Sequence, residues 1–106
     1  MQEKALNNIL NNKIIHERAR LLILTYLASS EKESVPFNEL KQALNLTAGN
    51  LSVQLKTLFE AGYINITKEF KNNKPLTKAY ITKKGREELK KYLESIDNIV
   101  KIIKIR

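Results

Sequence analysis

At 106 residues, 42% of them hydrophobic, the chain has the size of one domain with a modest core, and no room for a separate ligand-sensing domain. The formal charge of +8 and a pI near 9.8 favour a polyanionic partner, because lysines close to phosphates displace condensed counterions. The absence of cysteine excludes disulfides, thiolate metal sites and thiol redox sensing, and the single His16 leaves a transition-metal site only carboxylates to add, so no metal or other cofactor is expected.

The first expected element is a helix over residues 3–12, with Leu6, Ile9 and Leu10 at helical spacing among Asn7, Asn8, Asn11 and Asn12. Asparagine is a mediocre helix former, so this helix needs a surface to dock on. From Glu17 to Ser29 a second helix carries Ala19, Leu22, Ile23, Tyr26 and Leu27 on a broad stripe, and the polar run 29–34 ends it. Val35-Pro36-Phe37 is extended, as a residue before proline must be, and lies at an edge or a strand start. Asn38 is expected to cap a short helix, Glu39 to Leu44, burying Leu40, Ala43 and Leu44, with Asn45 left-handed at its end.

Thr47 caps the next helix, in which Leu51, Leu55, Leu58 and Phe59 share a core face. Asn50, Ser52, Val53, Gln54, Lys56 and Thr57 are left facing outward. Two short helices about three residues apart, the second capped and amphipathic, form a helix-turn-helix pattern. Gly62 stops the second helix, after which residues 63–70 alternate, placing Ile64, Ile66 and Phe70 on one side. Residues 76–82 return after the tip Lys71-Asn72-Asn73-Lys74-Pro75, making a hairpin with a basic end. Thr82 caps a long final helix from Lys83, with Glu87 and Glu88 near its positive pole. Along it Leu89, Tyr92, Ile96, Ile99 and Ile103 recur at spacings of three and four, widened by Leu93 and Val100, as in a coiled-coil seam. Nothing in the same chain is expected to cover that seam except the N-terminal helix, so dimerisation would bury both.

The fold these elements define is α+β and mainly helical: a winged helix-turn-helix with a two-stranded wing. Residues 17–82 form its core, and 1–15 and 83–106 form N- and C-terminal dimerisation helices. Such a helix can enter a major groove while the hairpin beside it touches the flanking backbone. Asn50 and Gln54 are residue types that pair bidentately with adenine. Thr47, Ala48 and Gly49 are small residues at a helix N-terminus, where free backbone amides suit a phosphate. Lys71, Lys74, Thr77 and Lys78 form the wing, with Lys68, Lys83, Lys84 and Arg86 extending its basic surface. Between Lys68 and Lys91 nine basic side chains stand against three acidic ones, Glu69, Glu87 and Glu88. Arg18 and Arg20 fit either a contact with DNA or a pairing with carboxylates inside the fold.

With those residues in view, the chain resembles the winged-helix transcriptional regulators of the MarR and ArsR type, in their compact single-domain prokaryotic subgroup. The resemblance spans residues 14–96 and rests on several pieces in order. These are Arg20-Leu21 with Ile23-Leu24, Pro36-Phe37-Asn38-Glu39-Leu40, Leu46-Thr47-Ala48-Gly49-Asn50-Leu51, Leu58 with Ala61-Gly62-Tyr63-Ile64, Lys74-Pro75-Leu76-Thr77, and Ile81-Thr82 with Gly85. It implies a homodimer joined through its terminal helices that binds a pseudo-palindromic operator on double-stranded DNA and controls transcription. At Val53 many relatives carry a polar or basic residue, which shifts the expected base contact toward a thymine methyl group.

No catalytic residue is expected. Carboxylates are scattered singly on polar faces, no nucleophile lies in a recognisable turn, and Gly49, Gly62 and Gly85 are too far apart to cradle a nucleotide. His16 reads as a surface or hinge residue. No apolar run approaches the roughly 18 residues of a membrane span, and the N-terminus lacks the layout of a secretion signal, so a soluble cytoplasmic protein is expected. A small-molecule effector at the dimer interface has no residue pointing to it. The alternatives to an operator-binding regulator are a winged-helix protein-interaction module and an architectural protein that coats DNA without regard to sequence.

Overall fold

In the computed structural model, which describes residues 10–104, helix α1 (Arg18–Ser29) begins where the extended Glu17 turns its carboxylate onto the backbone N–H of Arg20 at 2.8 Å. Its buried row is Ala19, Ile23, Leu24 and Leu27. Leu24, not expected there, replaces Leu22 and Tyr26, which are only half-buried. Tyr26 points instead at the second helix, donating its hydroxyl to Glu39 at 2.6 Å. The hydrogen bonds from Lys32 and then Tyr26 hold the Glu39 carboxyl below its ordinary pKa.

Strand β1 (Val35–Pro36) pairs antiparallel with Ala79 and Lys78, so the extended segment expected there adds a short edge strand to the two-stranded wing. Proline is tolerated there because β1 is an edge. Helix α2 (Phe37–Ala43) follows at once, with Pro36 at the cap position and no side-chain cap. Asn38 therefore lies inside the first turn and is not the cap. Leu40 is fully buried and Leu44 half-buried, but Ala43 faces solvent. Asn45 has φ 53, and Leu46 N–H reaches back to the Lys41 carbonyl at 3.0 Å, closing the helix as a left-handed residue permits.

Helix α3 (Ala48–Glu60) is capped by Thr47, whose hydroxyl accepts the Asn50 N–H at 3.1 Å. Leu51, Leu55 and Leu58 drive into the core, each contributing about 1.5–3 kcal/mol of burial. Phe59, assigned to the same face, is 48% exposed: one residue past Leu58, it turns out over the wing side. Gly62 (φ 81) then reverses the chain, with Tyr63 N–H bonded to the Leu58 carbonyl at 3.0 Å.

Strands β2 (Ile64–Lys71) and β3 (Lys74–Ile81) complete the sheet in the order β1-β3-β2. The tip is tighter than the five residues expected. Asn72 and Asn73 alone form it, both at positive φ (55 and 61), the geometry of a two-residue turn that matches strand twist. Lys71 and Lys74 thereby become cross-strand partners. One face of the ribbon carries Ile64, Ile66, Lys68 and Phe70 opposite Ile81, Ala79, Thr77 and Pro75. Only its base reaches the core; Phe70, near the tip, is 79% exposed.

Helix α4 (Lys83–Lys104) starts at Thr82, whose hydroxyl accepts the Gly85 N–H at 3.0 Å. Its first turn holds no acidic residue, and Glu87 and Glu88 lie past the reach of the dipole. Leu89 and Tyr92 belong to the chain's own core, which removes the first two members of the expected seam from any surface. Ile96 packs partly against that core, Ile99 is half-buried, and Leu93, Val100 and Ile103 are exposed. Leu6 and Ile9 lie outside the described residues. Leu10 is not helical; it has φ 59 and directs its N–H toward Ser95 Oγ at 3.4 Å. Asn12 follows with its side-chain oxygen accepting the N–H groups of Ile14 and Ile15 at 2.9 and 3.0 Å, which lodges Ile15 fully in the core.

Tyr63 is where these segments meet. Its carbonyl accepts Thr82 N–H at 2.9 Å and its hydroxyl accepts the Asn12 amide at 2.9 Å. A Cβ on Gly85 would stand 2.1 Å from that same carbonyl oxygen. Gly85→Ala is therefore expected to lower unfolding stability by about 3 kcal/mol, at the upper end of overpacking, in a urea titration. A loss under about 1 kcal/mol would mean that α4 does not press on Tyr63 as described.

Candidate nucleic-acid interface

Burying Leu51, Leu55 and Leu58 fixes the rotation of α3, and thereby which of its side chains face away. Ala48, Gly49, Asn50, Ser52, Val53 and Lys56 all lie exposed on that outer side, with Val53 at 61%. Nothing stands within 4 Å of the place a Cβ on Gly49 would take, so the fold itself does not demand a glycine there. Gln54 departs from the expected outward position. It is half-buried, its carbonyl oxygen accepting from Arg20 Nη1 at 2.6 Å and its amide donating to Asn50 Oδ1 at 3.0 Å.

Arg20 thus has α3, through Gln54, and not a carboxylate as its main partner. Its Nε–H donates to the Ile14 carbonyl at 2.6 Å, and Glu17 lies 4.0 Å from Nη1. The link to Gln54 crosses 34 residues of sequence, so no local pattern announced it. Arg18 is exposed on the same helix. His16 holds the loop before α1 to α4, with Nδ1 2.6 Å from the Tyr92 hydroxyl.

Beside α3 the wing leaves an open trough of about 600 Å³, floored by Phe37, Leu55, Phe59 and Ile66 and rimmed by Ser52, Lys56, Lys68 and Thr77. Thr77 faces α3 across this trough. Lys68 is its cross-strand partner and the better-placed cation. Lys78 sits one residue on, so alternation turns it to the opposite face, where it pairs with Glu69 at 3.0 Å. Lys71 and Lys74 flank the turn as exposed cross-strand partners, and the same alternation puts them on the Lys78 face. Two cations counted in the basic stretch serve the fold instead. Lys84 Nζ caps the end of α3 at the Ala61 carbonyl (3.0 Å) and lies over the Tyr63 ring, while Arg86 bonds the Ala28 carbonyl at the end of α1 (3.2 Å). Lys83 is exposed without such a role.

An amphipathic helix held by a helix-turn-helix, its polar side open and a basic ribbon beside it, defines a winged helix of the DNA-binding class. Residues 19–100 match the winged helix DNA-binding domain, and the chain belongs to that family. An uncharacterized protein of Methanocaldococcus jannaschii is 38% identical over 91 residues, covering 86% of this chain and 97% of that protein. Among solved structures, the transcriptional regulator homologue of Pyrococcus horikoshii OT3 superposes with a TM-score of 0.84 at 28% identity, over 94% of this chain and 97% of that one. The S. aureus MepR–DNA complex shares the fold at a TM-score of 0.73 and 14% identity, over 96% of this chain and 81% of MepR. The winged-helix fold expected from the sequence is the one that this family and these structures share. No helix among the described residues is long and apolar enough to cross a membrane.

The two faces of the wing make different predictions. Lys68→Ala is expected to flatten the dependence of log K on log salt by about one unit, the value of one phosphate contact. Lys78→Ala, whose charge Glu69 already neutralises, is expected to change the slope by less than about half of that. Salt titrations with a random duplex check both, and equal slopes for the two variants would contradict the assignment of faces.

Proposed function

We propose that the protein is a cytoplasmic homodimer that binds a pseudo-palindromic operator on double-stranded DNA and regulates transcription. α3 lies in the major groove and the wing tip, Lys71 to Lys74, on the adjoining minor groove or backbone. The observation that carries this reading is the open first half of α3, with Thr47 to Val53 on a rigid, capped helix beside a hairpin of lysines. A major groove about 12 Å wide admits such a helix, and the small Ala48 and Gly49 let its N-terminal amides approach a phosphate. Asn50 is the base-reading side chain closest to the tip, and Val53 offers a methyl-methyl contact to thymine.

Dimerisation is supported by the exposed apolar side chains at the far end of α4. Leu93, Val100 and Ile103, with Ile99 between them, continue a seam that the chain's own core covers only as far as Ile96. Two-fold symmetry would place the recognition helices about 34–36 Å apart, one turn of duplex.

Three measurements test this reading. Selection of bound fragments from a random duplex pool is expected to return a motif with two-fold symmetry; uniform recovery would favour architectural binding, and no recovery a protein partner. Asn50→Ala is expected to weaken the selected site by about 1–3 kcal/mol while random duplex binds as before. Val100→Asp, a charge in the exposed part of the seam, is expected to sediment as a monomer with its thermal unfolding little changed; an unaltered dimer would place the interface elsewhere.

A further inference from the structure

We infer that Arg20, a residue of α1, is a positioning residue for base recognition: through Gln54 it fixes the amide of Asn50, so that Asn50 reads the base and Gln54 does not. This rests on the reading of α3 as the base-reading helix. A guanidinium can only donate hydrogen bonds, so the Gln54 atom it meets at 2.6 Å is the carbonyl oxygen. That choice leaves the Gln54 amide nitrogen facing Asn50, whose Oδ1 accepts from it at 3.0 Å. Asn50 is thereby turned with its Nδ2 hydrogens free, on a backbone already pinned by Thr47.

Arg20 is suited to hold this chain of donors and acceptors in one direction. It is 17% exposed in its side chain, and its Nε–H is committed to the Ile14 carbonyl at 2.6 Å, which fixes the guanidinium plane. Gln54 is half-buried with both of its polar ends engaged. A free asparagine samples both orientations of its amide and pays an ordering cost on binding; one held from behind does not. The group offered to the groove is a donor, so the preferred bases present an acceptor at that point, a purine N7, a guanine O6 or a thymine O4.

The test uses selection from a random duplex pool with the full chain, alongside thermal unfolding of each variant. Arg20→Met, Gln54→Met and Asn50→Ala are each expected to erase the preference at the same single base pair of each half-site. The specific-to-random binding ratio should fall about tenfold in each, and combining any two should add little. Gln54→Glu supplies the sharper outcome and keeps Arg20 paired. The new carboxylate can only accept, so Asn50 must turn its Nδ2 inward and its Oδ1 out, and the preferred base should change to cytosine, whose major-groove edge offers an amino donor and no acceptor.

A motif selected equally by the native chain and the Arg20 and Gln54 variants would overturn the inference and leave the proposed function standing. Losses at two different base pairs that add in the double variant would also overturn it, by making Gln54 a reader in its own right. No motif from the native chain would remove the proposed function and this inference together.

Discussion

The placement of Tyr63 governs the rest of the molecule. It ends the turn out of α3, begins the wing, receives the loop before α1 through Asn12, and lies beneath the first turn of α4 at Gly85. Thr82 closes the junction from the other side, donating its hydroxyl to the Gly62 carbonyl at 2.7 Å and accepting from Gly85. Because the same few atoms anchor α3, both ends of the wing and α4, the angles among those elements are not independent. A winged helix presents two separate contacts to one duplex, and a hinge between them would dissipate the geometry; this junction is what prevents one. It also explains why Lys84, for all its charge, is held at the carbonyl end of α3.

Much of this arrangement was legible in the sequence because it depends on contacts within a few residues. Thr47 capping α3, Asn45 and Gly62 reversing the chain, and the Leu51-Leu55-Leu58 row are all set by local backbone chemistry. What escaped depends on register or on distant pairs. Nothing near Lys78 says that it points away from α3; that follows from its alignment with Thr67 and its pairing with Glu69 across the ribbon. A two-residue turn in place of a five-residue tip moves Lys71 and Lys74 into the strands, where alternation decides their faces. Phe59 is apolar and in phase with the core row of α3, and Phe70 with Ile64 and Ile66, yet both are exposed. Phase gives a direction, however, and not whether any neighbour lies in that direction.

The positive charge of the chain divides accordingly. Lys84 and Arg86 cap the carbonyl ends of helices, Lys78 pairs with Glu69, and Arg20 is drawn inward, so charge counted along the sequence overstates the charge that faces a duplex. Lys56 and Lys68 line the trough between helix and wing, and Lys71 and Lys74 flank the tip. Lys56 and Lys68 act together along the trough, whereas Lys71 and Lys74, in phase with Glu69 and Lys78, stand on the other face of the ribbon and meet a duplex only through its tip.

The terminal helix carries the same division between fold and partner. α4 runs 22 residues, yet its fully buried positions, Gly85, Leu89 and Tyr92, fall in its first half, where α1 and Tyr63 lie against it. Beyond Ile96 the apolar positions continue in phase with no comparable cover in the described chain. A helical segment of that length is marginal by itself in water, and its lysines do not remove the cost of leaving Val100 and Ile103, the latter 66% exposed, in contact with solvent. In the proposed dimer a second α4 would cover this half. The junction at Tyr63 would then carry the consequence to the DNA, because a helix fixed at one end to its partner and at the other to α3 sets the distance between two recognition helices.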